Sequence, residues 1–408
     1  VGAIRNDAGA SNAGAAYVVY GPVGGEDNLV NADAKIIGES VDDYLGRGVN
    51  GVGDVNGDGF DDVIATAFLS DRGATDGGAA YVFHGPLSGS VSASTADLTL
   101  LAEGAGDQLA DAEHLGDTNG DGTADLLVAA QFNDGAGVNA GAAYIVLSPA
   151  TGEVDLADGA FRIDGADLSE EFGSALGSGD FNGDGLADVL VGARFADTAF
   201  ADAGAVYLFE GPLDSDLSNS DADASFLGAA AGDQLGNFAS IADGGDLDGD
   251  GSHDIVLGAS ESAGDGFKRG SVYVHFGPTH TIGQSVSEAD VIFTGEQNSD
   301  KTGDSVDGLG DFDGDGFGDL VIGSGFANAG TANGGAAYLV LGPLESGNRS
   351  LLDSTARYTA EADNDRVRVQ SAGDVDGDGR TDLFIASQNN SAVGNQAGAV
   401  YLFLGVGL

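Results

Sequence analysis

With 66 acidic against 14 basic side chains, the 408-residue chain carries a formal charge of −52, and a surface that anionic excludes nucleic acid and anionic lipid as partners. Cysteine is absent, which excludes disulfides and thiol chemistry, and no run approaches the roughly 18 apolar residues that span a membrane. Seventy-one glycines against six prolines, with Phe and Tyr as the only aromatics, suit many short strands joined by turns.

The chain opens on a strand, Val1-Gly-Ala3, that matches the end of Asp188-Val-Leu-Val-Gly-Ala193, and Gly14-Ala-Ala-Tyr17 follows as a second strand. From there one period repeats. In its first complete copy, strand A runs from about Gly46 to Gly53, an acidic loop follows, B is Val63 to Ala67, C is Ala79 to Phe83 and D is Leu98 to Leu101. Short runs rich in β-branched and aromatic residues, bounded by Gly, Asp and Asn, read as strands, and four per repeat make the blade of a propeller. The acidic loops start at Asp54, Asp117, Asp180, Asp246, Asp311 and Asp374, with steps of 63, 63, 66, 65 and 63 residues. A regular period from end to end predicts one all-β domain over residues 1–408, a seven-bladed β-propeller.

Strand C fixes the register through Tyr17, Tyr81, Tyr144, Tyr207, Tyr273, Tyr338 and Tyr401, which read as packing between blades. Pro22, Pro86, Pro149, Pro212, Pro278 and Pro343 each lie five residues after one of the first six tyrosines, where a missing N–H ends the strand. Seven B and seven C strands stand against six A and six D strands. The first blade is therefore expected to lack its inner strand and loop, and the last its outer strand. A segment upstream of Val1 or a neighbouring protomer is expected to supply them, since an unpaired edge invites pairing. Methionine is absent even at position 1, so the sequence reads as processed, trimmed or partial.

The loops carry the chemistry. Positions 1, 3 and 5 are Asp54, Asn56 and Asp58; Asp117, Asn119 and Asp121; Asp180, Asn182 and Asp184; Asp246, Asp248 and Asp250; Asp311, Asp313 and Asp315; Asp374, Asp376 and Asp378. Position 6 is always Gly, where the backbone turns sharply. Position 7 varies among Phe60, Thr123, Leu186, Ser252, Phe317 and Arg380, as expected if only its carbonyl is used, and position 9 is Asp62, Asp125, Asp188, Asp254, Asp319 or Asp382. Alternating hard oxygen donors on a tight loop suit Ca²⁺, which takes six to eight oxygens. An EF-hand would place Glu at position 12 between helices; here position 12 is an apolar strand residue such as Ala65 or Val128. Six ions are expected, held structurally and contributing to folding by linkage. They would add +12 to the −52 and leave −40, so the acidity exceeds what the metal sites need.

With those loops in place, the pattern resembles the FG-GAP repeats of the integrin α-subunit propeller and its bacterial relatives. The matching residues are Glu171-Phe-Gly173 ahead of strand A, Gly179-Asp180 opening the loop, Leu190-Val-Gly-Ala193 in place of the GAP segment, and Gly204-Ala-Val-Tyr-Leu208. The chain departs from the pattern by lacking the GAP proline, by weakening FG to Leu45-Gly46, Leu109-Ala110 and Thr302-Gly303, and by having six loops, a count that looks prokaryotic. No insertion between blades is long enough to be an inserted ligand-binding domain. The resemblance implies an extracellular, secreted or cell-surface module for adhesion, protein binding or assembly, with a protein or glycan ligand or self-association and no membrane insertion of its own.

Catalysis finds no support in the motifs. His84, His114, His253, His275 and His280 do not repeat and have no metal-ligand spacing. No nucleophile elbow, phosphate loop or zinc motif occurs, and carboxylate pairs are uninformative among 66 acids. Arg357, Arg366, Arg368 and Arg380 cluster in the last repeat, with Arg366 and Arg368 expected to bridge to Asp363 and Asp365. The reading is non-catalytic, with a carbohydrate-active propeller (lectin or polysaccharide lyase) and a lattice or filament subunit as alternatives. The B–C hairpins Ser70–Gly77 and Glu261–Lys268 are the expected partner contacts, because loops on a rigid scaffold vary without cost to the core.

Overall fold

In the computed structural model, residues 1–25, 28–263, 268–392, 394 and 396–405 are described. The fold is a seven-bladed β-propeller. In the first complete blade, strand A (Leu45–Gly53), B (Asp62–Ala67), C (Ala79–Phe83) and D (Leu98–Leu101) lie in that order, every neighbouring pair antiparallel. The B–C register runs from Val63 opposite Phe83 to Ala67 opposite Ala79, and the C–D register from Ala79 opposite Leu101 to Val82 opposite Leu98. Strand C is buried at all five residues, so both its faces are covered and it reads as an unbroken apolar run without alternation.

The described residues contain seven sheets. The first has B (Gly2–Ala3), C (Ala15–Val18) and D (Ala34–Ile37) without an A strand, and the last has A (Val367–Gly373), B (Asp382–Ser387) and C (Ala399–Phe403) without a D strand. Both absences follow the strand count expected from the repeat. A fifth strand was not foreseen: between C and D the chain swings out, and Gly152–Asp155 pairs parallel with Leu98–Leu101 of the preceding blade. Gly89–Ser92 does the same on Ala34–Ile37, and Gly347–Ser350 on Val291–Thr294. These segments are polar and largely exposed, so they carry no apolar signal.

The chain forms two compact units, one of residues 1–179, 185–191 and 208–222, the other of residues 180–184, 192–207 and 223–408. In the first, Val52, Ile64, Val82 and Leu100 of one blade pack with Leu126, Val128, Tyr144 and Val146 of the next. In the second, Val256, Val274 and Phe293 pack with Leu320, Ile322, Tyr338 and Val340. Each fully buried aliphatic side chain contributes about 1.5–3 kcal/mol. Tyr81, Tyr144 and Tyr338 lie in these layers, as interblade packing requires, whereas Tyr17 and Tyr401 of the incomplete blades stay half-buried.

One glycine shows how neighbouring blades meet. Gly141, just before strand C, bridges Phe172 at the start of the next A strand, and a Cβ there would stand 2.1 Å from the Phe172 carbonyl oxygen. Its φ of +83° is likewise open chiefly to glycine.

Candidate functional site

Each acidic loop joins strand A to strand B, so all lie at the same end of their sheets. Alternating Asp and Asn side chains fold the loop by taking backbone N–H groups ahead of them, the Asx-turn habit of these residues. Asp54 Oδ1 accepts the N–H groups of Gly57 at 2.7 Å and Asp58 at 3.0 Å, and its Oδ2 that of Gly59 at 2.8 Å. Asn56 Oδ1 accepts the N–H of Asp58 at 2.8 Å, and Asp58 Oδ1 that of Phe60 at 3.0 Å. Gly57 and Gly59 both take positive φ, +77° and +92°, so the fourth position needs glycine as the sixth does. Backbone N–H groups from Gly59 and its neighbours hold the Asp54 carboxyl below its ordinary range, and the Thr123 N–H does the same for Asp121.

The same pattern recurs around Asp117, Asp246, Asp311 and Asp374. In the second unit the Asp184 N–H donates to Asp180 Oδ1 at 3.0 Å and Asn182 Oδ1 at 2.9 Å. Where the third position is Asp, carboxylate oxygens of Asp246, Asp248 and Asp250, and of Asp311, Asp313 and Asp315, come within 4.8 Å of one another. In the last loop Asp374 and Asp376 are joined by the ninth residue, Asp382. These sets offer only hard oxygen donors and fit a hard divalent cation.

The ninth Asp has a second role that the spacing did not reveal. Asp62, Asp125, Asp188, Asp254, Asp319 and Asp382 are wholly buried. Asp254 Oδ2 accepts the Leu247 N–H and Oδ1 the Gly277 N–H, both at 2.8 Å, which ties the loop to the residue before Pro278. Desolvation pushes Asp254 up to about 7 and Asp319 to about 6, and raises Asp62 and Asp125 as well. A carboxylate keeps lone pairs after accepting two N–H groups, and a nearby cation would hold it ionised.

At the opposite end of the sheets lies a second carboxylate series. Asp43, Asp107, Glu170, Asp233, Asp300 and Asp365 are buried in the turns between D and A. Each accepts a backbone N–H from three residues earlier, as Asp107 does from Gly104 at 2.9 Å, and closes its turn. An acid recurring once per period was the available signal.

The histidines do not assemble. His275 is buried, with its ring centroid 4.6 Å from that of Phe226, and burial lowers it to about 4; His253 pairs with Asp243 at 2.7 Å, and His114 with the Val52 carbonyl at 2.9 Å. Among the described residues, no candidate metal group includes a histidine. The expected bridges from Arg366 and Arg368 to Asp363 and Asp365 do not form. Asp363 instead accepts the Ala332 N–H and Asp365 that of Ala362, while the Arg366 guanidinium lies 4.6 Å from the centre of the Phe326 ring and Arg368 acts electrostatically on Asp304. Both carboxylates are thus held by backbone N–H groups, one from the preceding B–C hairpin and one from the turn itself, and the Arg366 side chain stacks on Phe326. Of the two hairpins expected to contact partners, Ser70–Gly77 is described, while residues 264–267 of the other lie outside the described residues. No helix is long and apolar enough to cross a membrane, among the described residues.

The FG-GAP repeat family matches residues 49–83, 112–146, 172–209, 302–340 and 371–403. Each span takes in all or part of strand A, the acidic loop and strands B and C; the blade carrying the Asp246 loop, whose A strand is only Ile241–Asp243, falls outside them. Human integrin alpha-IIb is 33% identical over 204 residues, 45% of this chain and 18% of that protein. Integrin alpha-4 of Xenopus laevis is 31% identical over 171 residues, 40% of the chain and 15% of the relative. Rat phosphatidylinositol-glycan-specific phospholipase D is 32% identical over 203 residues, 47% of the chain and 24% of the relative. The chain thus spans less than a quarter of the length of these relatives. Five matched repeats on a seven-bladed fold make it an integrin alpha-like FG-GAP propeller.

Proposed function

We propose that the chain is an extracellular, calcium-stabilised propeller domain that binds protein ligands in adhesion and does no catalysis. The observation that carries this reading is the recurrence of one oxygen-lined loop in blades similar to integrin alpha chains. Side chains at positions 1, 3, 5 and 9 and the carbonyl at position 7 would hold one Ca²⁺ per loop, six in all. The ion would relieve repulsion among carboxylates gathered on nine residues and keep the buried ninth Asp ionised. At roughly 10⁻⁴ to 10⁻³ M, the affinity common among extracellular modules, such sites fill outside a cell.

Similarity to a phospholipase D favours a second reading, a non-catalytic accessory domain of an enzyme. Beads coated with the protein and flowed over a cell monolayer, in about 1 mM Ca²⁺ or in EGTA, test the adhesion reading. Retention above bare beads that EGTA abolishes is the expected result. Retention no greater than that of bare beads removes it.

A further inference from the structure

The seventh residue of the acidic loop differs from blade to blade, and where it is long its side chain reaches the loop of the preceding blade. Phe317 lies over Gly249, the fourth residue of the Asp246 loop, where a Cβ would stand 2.4 Å from Phe317 Cε1. Leu186 lies over Gly120 of the Asp117 loop, with Cδ2 3.5 Å from the equivalent point, and Arg380 over Gly314 of the Asp311 loop, with Nη2 at 3.0 Å and Nε at 3.1 Å. The glycine in each pair belongs to the turn that holds the first Asp: Asp117, Asp246 and Asp311 each accept its N–H at 2.7 Å. The residue after the seventh anchors the contact, since the Gly318 N–H donates to the Asp246 carbonyl at 2.7 Å and the Ala187 N–H to the Asp117 carbonyl at 2.9 Å. Side-chain length decides which loops are covered. Where the following loop has Thr123 or Ser252 at its seventh position, a Cβ on Gly57 or Gly183 would meet nothing within 4 Å among the described residues. Phe60 belongs to the first loop, which has no preceding loop among the described residues, and it is 53% exposed; Phe317, the same residue type over Gly249, is half-buried.

We infer that Phe317 and Arg380 set the cation affinity of the loop in the preceding blade, in opposite directions. This deepens the proposed function and rests on its calcium reading. The Phe317 ring packs on the Gly249 turn and leaves it fewer ways to open, so less ordering remains for an ion to impose on the Asp246 loop. Leu186 gives the Asp117 loop the same apolar support. Arg380 instead sets a guanidinium against a turn that gathers the carboxylates of Asp311, Asp313 and Asp315, and a positive charge there opposes a second cation. The seventh residue thus serves two loops, its carbonyl its own and its side chain the neighbouring one.

The test is equilibrium dialysis of the whole chain against radiolabelled Ca²⁺ at low ionic strength, counting bound ions against free Ca²⁺. F317S, which shortens the side chain to that of Ser252, is expected to weaken one site about fivefold, and F317L to restore most of the loss. R380L should tighten one site about tenfold, an effect that shrinks as salt is added, while R380K keeps the charge and should keep that site weak. Asp246→Ala disables the loop through which Phe317 acts, and Asp311→Ala the loop through which Arg380 acts. F317S should therefore lose its effect in the D246A background, and R380L in the D311A background. Unchanged binding in both F317S and R380L, or effects that persist in those backgrounds, overturns the assignment. Melting of F317S equal to that of wild type in EGTA excludes misfolding as the cause of a loss, and the gain expected of R380L cannot come from misfolding. A wild-type chain that binds no Ca²⁺ overturns the calcium reading itself, whereas a wild-type chain that binds it while F317S and R380L behave alike overturns this inference alone.

Discussion

The Asp62 carboxylate accepts the backbone N–H of Gly85, twenty-three residues downstream, at 2.8 Å, and with its other oxygen the N–H of Val55 at 3.1 Å. One buried side chain thus secures the acidic loop to the end of strand C, and its counterparts do the same in later blades. Asp54, the first Asp of the loop, is only half-buried and accepts N–H groups from within the loop. The two acids should therefore fail differently.

Asp62→Ala is expected to destabilise the protein by about 2–4 kcal/mol in EGTA, because two buried N–H groups lose their acceptor. Asp54→Ala should lower stability mainly in Ca²⁺. Denaturant unfolding of each variant with and without Ca²⁺ checks the pair, and equal losses in the two media for Asp54→Ala would remove that residue from the metal site.

Calcium titration should raise the melting temperature near millimolar concentration while Mg²⁺, which demands tighter octahedral geometry, does less. At 100 times Kd, each site adds about 2.7 kcal/mol. Light scattering on the same samples separates a structural ion, which leaves particle size unchanged, from one that drives assembly. No thermal response to Ca²⁺ would overturn the metal reading.

Glu170 gives a pH signature away from the loops. Desolvation pushes its carboxyl up to about 7 from 4.5, and Ala166 and Asp167 N–H groups oppose this only in part. A raised folded-state value favours the protonated form, so this stabilisation is complete below about pH 4.5 and is lost as the pH rises through 7. Glu170→Gln keeps the acceptor oxygen and removes the charge. It should be more stable than wild type at pH 8 by up to about 3 kcal/mol and equal to it near pH 4, as read from melting against pH.

Gly141→Ala tests the blade contact. A Cβ 2.1 Å from a backbone oxygen forces the following A strand away and also strains a φ of +83°. The expected loss is about 3 kcal/mol or more, measured by denaturant unfolding. Gly57→Ala meets nothing within 4 Å and should cost only the strain of its φ, about 1 kcal/mol.

Arg366→Gln with Arg368→Gln should change stability by no more than about 1 kcal/mol, the worth of an exposed cation–π stack. Unchanged bead adhesion in this variant excludes the two arginines from ligand contact.

Period, strand order, blade count and the missing A and D strands were legible in the sequence because each blade repeats the same local choices. Asp and Asn alternate where a loop must turn, β-branched residues fill strands covered on both faces, and Tyr marks each C strand. The candidate ligands were readable for the same reason, since they fall within nine residues of one another in the sequence, and in three of the loops three carboxylates come within 4.8 Å of one another. Local sequence determined what each blade is. Only the tertiary structure decided what holds one blade to the next, because those contacts join residues with no local signature of the partner. Gly141 recurs in a motif, yet its need arises from the Phe172 carbonyl crossing above it. Asp62 reads as a ligand, yet its burial follows from Gly85 arriving with strand C. The polar Gly152–Asp155 strand is placed by its parallel backbone pairing with the preceding blade and by the Arg72–Glu153 ion pair, and Arg366 finds the Phe326 ring and not the nearby Asp363 and Asp365.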